Sequence, residues 1–336
     1  MKIKQKTLTF LSAAALISCL TNNAYVKTHK NSDDKSFYAG VDYLFWKAQE
    51  DQTYYAVKST GNFDLGFLSP TEYNVVNQCF KGTSGVRLQA GYAWCNCWDT
   101  FLTYTYFNAC STSSIQAPQN IMALSLFSLI GNNTLASSAH NTWHAKLNRV
   151  DWEVGFTHEF CESIIVRPTA GITWAQIKQQ QSIAYDGIPD ISAALTEKQN
   201  RFSGTGPRIG IDAQWFFYRN FSIAGVLSGA LLAGKSNAHT DVTITAEPPL
   251  LPTTQTFRPK VVDCKKIVAP TTQLVVGLNW ETSYSCTTVD IGIAYEAQYW
   301  WNQWQAAPSI IGPIATTAGH GDFTTHGLTA SLGLRF

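Results

Sequence analysis

The closing stretch His326-Gly-Leu-Thr-Ala-Ser-Leu-Gly-Leu-Arg-Phe336 decides how the rest of the chain reads. Leu328, Ala330, Leu332, Leu334 and Phe336 share one face of it, and Gly327, Thr329, Ser331, Gly333 and Arg335 the other. Side chains of a β-strand alternate sides with period two, so this is a strand with one apolar and one small or polar face. A soluble half-buried strand has the same alternation. A strand that ends flush on an aromatic residue, however, is the usual last strand of an outer-membrane barrel, with the ring at a membrane interface and alternate residues in lipid. Phe336 is then the assembly signal, and the barrel-assembly machinery a partner.

The opposite end agrees with export. Lys2, Lys4 and Lys6 precede an apolar run from Leu8 to Leu20, followed by small or polar residues up to Ala24. A positive n-region before a short apolar core is a secretory signal peptide, too short to span a bilayer as a mature helix. The reading is a signal peptide over 1–24, a periplasmic segment over 25–35 and one barrel domain over 36–336. Leu16-Ile17-Ser18-Cys19 also fits a lipoprotein cleavage pattern, but a barrel held by its own lipid-facing surface has no need of an acyl anchor. No later segment is long and apolar enough for a transmembrane helix.

Composition points the same way. Charged residues make up 14% of the chain, against about 25% in soluble domains, while 13% are aromatic. Mean hydropathy is only −0.08, so the chain is not apolar in bulk. Low charge, many rings and average hydropathy together fit strands with one face in lipid and one in water. A net charge of +1 supplies no basic field for nucleic acid.

Ten strands emerge from the alternation: Phe37–Lys47, Gly85–Ala93, Trp98–Phe107, Trp143–Phe156, Ile164–Lys178, Phe202–Phe217, Phe221–Gly234, Ile267–Trp280, Thr288–Tyr299 and the C-terminal strand. Short connections alternate strictly with long ones, roughly 49–84, 108–141, 179–201, 235–266 and 300–322. Outer-membrane barrels have short periplasmic turns, long external loops and even strand numbers, and ten fits. Thr53–Lys58 and His239–Ala246 are also able to extend, which makes twelve the fallback. The fold class is thus all-β, a transmembrane antiparallel barrel, and the location the outer membrane with its lipid as partner.

Apolar faces such as Val86-Leu88, Ile209-Ile211, Leu274-Val276-Leu278 and Ile291-Ile293 go to lipid, with Trp174, Trp215 and Trp280 as interface girdles. The opposite face lines the lumen: Asp42, Arg87, Gln89, Lys146, Asn148, Asp151, Glu153, Arg167, Arg208, Asp212, Gln214, Gln273, Asp290, Glu296 and Arg335. In Trp143–Phe156 the apolar parity changes, from Trp143, Ala145 and Leu147 to Val150, Trp152 and Val154, and a bulge near Asn148-Arg149 would keep both halves correctly faced. Positive and negative groups nearly cancel, so little charge selectivity is expected. Barrels of about eight strands are filled by side chains and those of 16–18 leave a channel; ten lies between, and its charges are able to pair and close it. The apolar run Ile121–Ile130 has the length to cover or enter the mouth.

Cys79, Cys95, Cys97, Cys110, Cys161, Cys264 and Cys286 remain after cleavage, an odd number in an oxidising compartment. All fall in or beside the connections. Disulfides are expected, some of them between chains or to other envelope proteins. His158 with Cys161 makes a poor metal set, and neither a metal nor a cofactor is expected. A barrel enzyme needs a Ser/His or Asp/His set at one rim. His320, Asp322 and His326, His140 and His144, and Ser138 are the candidates, and they read as scattered surface groups, so no enzyme is expected.

Phe45-Trp46-Lys47-Ala48-Gln49-Glu50-Asp51 with Tyr55-Ala56 resembles the end of the first strand in Legionella-type major outer membrane proteins. Gly85-Val86-Arg87-Leu88-Gln89-Ala90-Gly91-Tyr92, then Trp98-Asp99 and Tyr104-Thr105-Tyr106-Phe107, resembles that family's next hairpin. Arg149-Val-Asp-Trp-Glu-Val-Gly155 and Arg167-Pro168 with Gly171 and Trp174 also fit. The resemblance implies a pore-forming outer-membrane protein and identifies no permeant solute. The function expected of the chain is passive passage of small hydrophilic solutes. The cysteines are more like those of the cross-linked major outer membrane proteins of chlamydia-like bacteria. The alternative is a structural or adhesive surface barrel, cross-linked by disulfides and closed inside.

Overall fold

The computed structural model describes residues 35–51, 53–59, 73–94, 97–122, 135–161, 163–248, 253–258, 260–284, 287–305 and 320–336. Residues 1–34, Cys95, Cys286 and most of the Ile121–Ile130 run lie outside them, and with them the expected signal peptide. No helix among the described residues is long and apolar enough to cross a membrane, which says nothing of strands.

Every described element is a strand. In chain order they are β1 (Ser36–Glu50), β2 (Ala56–Ser59), β3 (Tyr73–Val76), β4 (Gly82–Trp94), β5 (Trp98–Met122), β6 (Leu135–Phe156), β7 (His158–Cys161), β8 (Ile164–Asp186), β9 (Ile191–Tyr218), β10 (Phe221–Ala246), β11 (Gln255–Phe257), β12 (Lys260–Tyr284), β13 (Thr287–Gln305) and β14 (His320–Arg335). Ten of them, β1, β4, β5, β6, β8, β9, β10, β12, β13 and β14, pair antiparallel in sequence order. The barrel closes where β1 pairs β14, from Tyr38↔Arg335 to Glu50↔Phe323. Reciprocal backbone bonds between Phe37 and Phe336 (3.0 and 2.9 Å) fasten the two chain ends together at the short-turn rim. The final aromatic residue is therefore part of the closing seam.

Four short strands decorate the rims. β2 and β3 form a hairpin that also touches β5, β7 extends β6 beyond Thr157 and pairs β8, and β11 pairs β10. The expected extended segments at Thr53–Lys58 and His239–Ala246 thus exist as β2 and as the end of β10, without adding a barrel pair.

The strands run far longer than the alternation indicates. β10 has 26 residues, about 65 Å of height at a tilt of about 40°, whereas the lipid-facing band of such a barrel is about 25 Å. Much of what read as long loops is wall standing clear of the bilayer. The exposed apolar side chains mark the crossing region: Val41, Tyr43 and Phe45 on β1, Leu88 on β4, Leu102 on β5, Ile209 and Ile211 on β9, Leu227 and Leu231 on β10, Leu328 and Leu332 on β14. All sit toward the short-turn end. Trp215 stands near that end and Trp174 at the far margin of the band, both exposed, where an amphipathic ring suits the headgroups.

Beyond the band the side-chain pattern inverts, and β6 shows that it does so without a change of register against β8. On β6, Val150 and Trp152 face out and Arg149 and Asp151 in; farther along, Leu147, Ala145 and Trp143 face in and are fully buried, while Lys146 and His144 face out. Pairing of β6 with β8 runs unbroken from Ser138↔Asp186 to Gly155↔Thr169. The expected bulge at Asn148-Arg149 is absent, and two lumen assignments fall with it. Asn148 accepts a hydrogen bond from the exposed Tyr104 hydroxyl (3.2 Å), and Lys146 Nζ lies 5.1 Å from the centre of the outward Tyr106 ring. The physical reason is the solvent outside the wall. Within lipid the apolar residue must face out; above it water is outside, and the apolar residue faces in.

This frame predicts that Leu332→Arg, near the middle of the apolar band, lowers stability by about 2–4 kcal/mol in guanidinium titrations of lipid-reconstituted protein. Thr112→Arg, exposed on β5 on the wall above, is expected to change it little. Equal effects at the two positions would show that the band is misplaced.

Candidate functional site: the barrel lumen

Stacked layers fill the lumen. The main polar one is a connected network to which every barrel strand contributes a member. Arg87 on β4 is its hub. It donates from Nη2 to Glu296 Oε1 (2.7 Å), from Nη1 to Glu296 Oε2 (3.0 Å) and Asp42 Oδ2 (3.3 Å), and from Nε to Thr105 Oγ1 (3.1 Å). Gln89 donates to Asp42 (2.8 Å) and Thr329 to Glu296 (3.3 Å). Gln273 and Gln298 also donate to Glu296, at 2.6 and 2.7 Å. Their carbonyl oxygens accept from Arg149, at 3.1 and 3.3 Å, and Arg149 pairs with Asp151 at 2.8 Å. Thr173 donates to Asp151 (2.6 Å), Arg208 bridges Gln273 (2.9 Å) to Glu153, and Ser228 donates to Gln273 (3.4 Å).

Buried charges cost several kcal/mol each unless paired and hydrogen-bonded, and here both conditions are met. A second cluster lies nearer the short-turn end, where Arg167 bridges Asp99 and Asp212 (2.6 Å to the latter). Gly155 makes room for it, since a Cβ there would collide with the Arg167 guanidinium. Asp290 and Arg335 are half-buried at that same end.

The second layer rests on the first. The Arg87 guanidinium lies 5.4 Å from the centre of the Trp46 ring, and that of Arg149 lies 5.6 Å from that of Trp300. Trp46 Nε1 donates to Thr329 Oγ1 at 3.1 Å, tying ring to network. Trp46, Phe107, Trp143, Phe202, Trp300 and Phe323 form the body of this layer, each less than 2% exposed. Leu44, Leu147, Ile177 and Leu232 fill between them.

Above the rings the interior is polar again. Glu50, at the outer end of β1 and beyond the lipid-facing side chains, accepts from Gln179 (3.0 Å); burial holds its carboxyl well above the usual carboxylate range, opposed by that hydrogen bond. Gln181 donates to the Thr53 carbonyl and Asn141 to Gln78. A smaller apolar cluster of Tyr55, Ala56, Ile183, Tyr185 and Ile244 caps the far end.

The expected lumen residues Asp42, Arg87, Gln89, Asp151, Glu153, Arg167, Arg208, Asp212, Gln273 and Glu296 therefore meet in two clusters. Sequence reasoning missed Arg149, Asp99, Thr105 and Gln298, and all of the buried rings. Arg149 keeps the parity of Asp151, since no bulge separates them. With Arg149 in place of Lys146 and Asp99 added, the interior leans slightly acidic.

The candidate catalytic groups are engaged apart from one another. The Tyr299 hydroxyl donates to Asp322 at 2.5 Å, His326 Nδ1 meets the Tyr295 hydroxyl at 2.7 Å, and Ser138 donates to Asp186 at 3.3 Å. Cys79, Cys97, Cys110 and Cys264 are exposed and form no disulfide with one another, and Cys161 is exposed beside Ser163.

A closed, even-stranded antiparallel barrel with an apolar outer band and a charged interior defines an outer-membrane β-barrel protein. Residues 31–336 match the family described as Legionella pneumophila major outer membrane protein precursor, and the chain belongs to that family. It is a protein of the outer membrane. No curated protein matches it. Among solved structures it is similar to the outer membrane protease OmpT from Escherichia coli, with 9% identity, 90% of this chain and 96% of that one covered and a TM-score of 0.45. A Pseudomonas aeruginosa FadL homologue (9% identity, 90% of each chain, TM-score 0.30) and the Pseudomonas putida toluene transporter TodX (6% identity, 90% and 89%, TM-score 0.28) are also similar.

Removing the hub should be costly, because two carboxylates would stay buried without their cation. Arg87→Met is expected to destabilise the barrel by about 3–5 kcal/mol in urea titrations, with part recovered on adding Glu296→Gln. A neutral Arg87→Met would mean that water already reaches the network.

Proposed function

We propose that this protein is a surface barrel of the outer membrane whose lumen is sealed at rest, and that its role is carried by the extracellular wall and rim. The single observation behind this reading is the ring layer seated on the ion-paired network, two unlike barriers in series across one lumen. Free passive diffusion of solutes, the function expected from the sequence, would require both to be displaced. A gated passage is the second reading. It draws support from the half-buried polar groups Asp290, Gln214 and Arg335, which give the short-turn half a polar vestibule. No catalytic step is assigned to the chain.

Conductance of purified protein across a planar bilayer separates these readings. The wild type is expected to stay silent or to open rarely and briefly. Trp46→Ala combined with Trp300→Ala removes the rings that sit on Arg87 and Arg149 and is expected to raise the open time, with a modest preference for cations. Long-lived discrete openings of the wild type would overturn the sealed reading in favour of an open porin.

A further inference from the structure

Outside the barrel, just beyond the apolar band, five adjacent strands carry a basic belt. His144 and Lys146 on β6, Lys178 on β8, Arg201 on β9, Lys235 on β10 and Lys266 on β12 all face outward. The register sets them side by side. Lys146 is directly opposite Lys178, Lys178 is opposite Arg201, and Lys235 is opposite Lys266. Directly opposed side chains on one sheet face stand about 5 Å apart at Cβ, and like charges there are destabilising. Relief by a nearby acid is missing: the outward residues of the belt between Asn148 and His144, Gln176 and Gln180, Gln199 and Ser203, Ala233 and Asn237, and Lys266 and Pro270 include no Asp or Glu. None of the five Lys and Arg side chains takes part in an ion pair among the described residues.

Geometry adds a place for a ligand. His144, Lys146, Lys178, Arg201, Asn237 and His239 line an open groove of about 450 Å³ on this wall. The belt is also level with a definite part of the bilayer. Lys178 follows the interfacial Trp174 by two outward positions, Lys235 follows the exposed Leu231 by two, and Lys266 follows the exposed Val268 by one. An anion that meets these groups while its tails lie against Ile172, Ile209 and Leu227 must be the headgroup of an outer-leaflet lipid.

We infer that the belt is a binding site for the phosphate groups of a phosphorylated glycolipid of the outer leaflet, held by Lys146, Lys178 and Arg201 with Lys235 and Lys266 flanking. Like-charge repulsion that is unfavourable in the free wall becomes attraction once the anion is bound. Lipid binding at this face therefore stabilises the part of the barrel that stands above the membrane. A basic side chain near an anionic lipid surface is worth about a factor of five in affinity.

The test is retention of diphosphorylated lipid A by purified full-length protein in detergent, read by native mass spectrometry and by titration. The wild type should retain the lipid, and Lys146→Gln/Lys178→Gln/Arg201→Gln should bind about a hundredfold more weakly, three such factors multiplied. Heat-modifiable electrophoretic mobility checks that the variant is folded. Two measurements on the wild type need no variant: fully dephosphorylated lipid A should bind poorly, and millimolar inorganic phosphate should not displace the phosphorylated lipid. Lys47→Gln, outward on the far side of the barrel, should leave binding unchanged. Unchanged retention by the folded triple variant, or equal binding of dephosphorylated lipid, overturns the site. Displacement by inorganic phosphate would show a simple anion site and overturn the lipid assignment.

Discussion

The Arg87 guanidinium, gripped by Glu296 and Asp42 in the middle of the bilayer, constrains everything around it. Three charges in a low-dielectric barrel are tolerable only if each is paired and its remaining hydrogen-bonding capacity is satisfied. Meeting that requirement draws in Gln273, Gln298, Arg149 and Asp151, and through them a residue from every barrel strand. The same guanidiniums form the floor on which Trp46 and Trp300 lie. Barrel closure, lumen polarity and the aromatic layer are thus one arrangement. A change at the hub is felt by strands far apart in sequence, since Arg87 and Glu296 are separated by 209 positions.

A second organising fact is the inversion of side-chain polarity along the strands. Inside the bilayer the wall is apolar outside and charged within. Above it the wall is polar outside and apolar within, like a water-soluble barrel built on top of a membrane one. Tyr43 and Phe45 face lipid while Trp46 and Ala48, a few residues on, are buried in the lumen. The strand has not turned; the solvent outside it has changed.

That inversion also explains what was legible beforehand. The alternation and the parity of the connections were enough to give ten strands, their order and the position of Phe336, because those depend on the period of the strand and on turn length. Most lumen charges were legible for the same reason: Asp42, Arg87 and Glu296 lie within the crossing region, where apolar means outward. Lys146 and Asn148 lie past the bilayer, where the rule that apolar means outward no longer applies and no bulge is needed. Strand length held the missing signal. Counting up β6 from Phe156, about ten residues exhaust the lipid-facing height, so Trp143, Ala145 and Leu147 had to lie above it. The ring layer was invisible because its members come from six strands and meet only on closure.

A sealed lumen moves attention from the bore to the wall. The long strands carry the barrel well above the membrane, and Cys79, Cys110 and Cys264 are exposed on that part. Accessibility of the lumen to a reagent tests the seal directly. With the other mature cysteines replaced by serine, Asp290→Cys places one thiol in the half-buried vestibule below the network. A membrane-impermeant thiol reagent is predicted to label it when applied from the periplasmic side and to leave it unlabelled from the extracellular side. Equal labelling from both sides would contradict the seal.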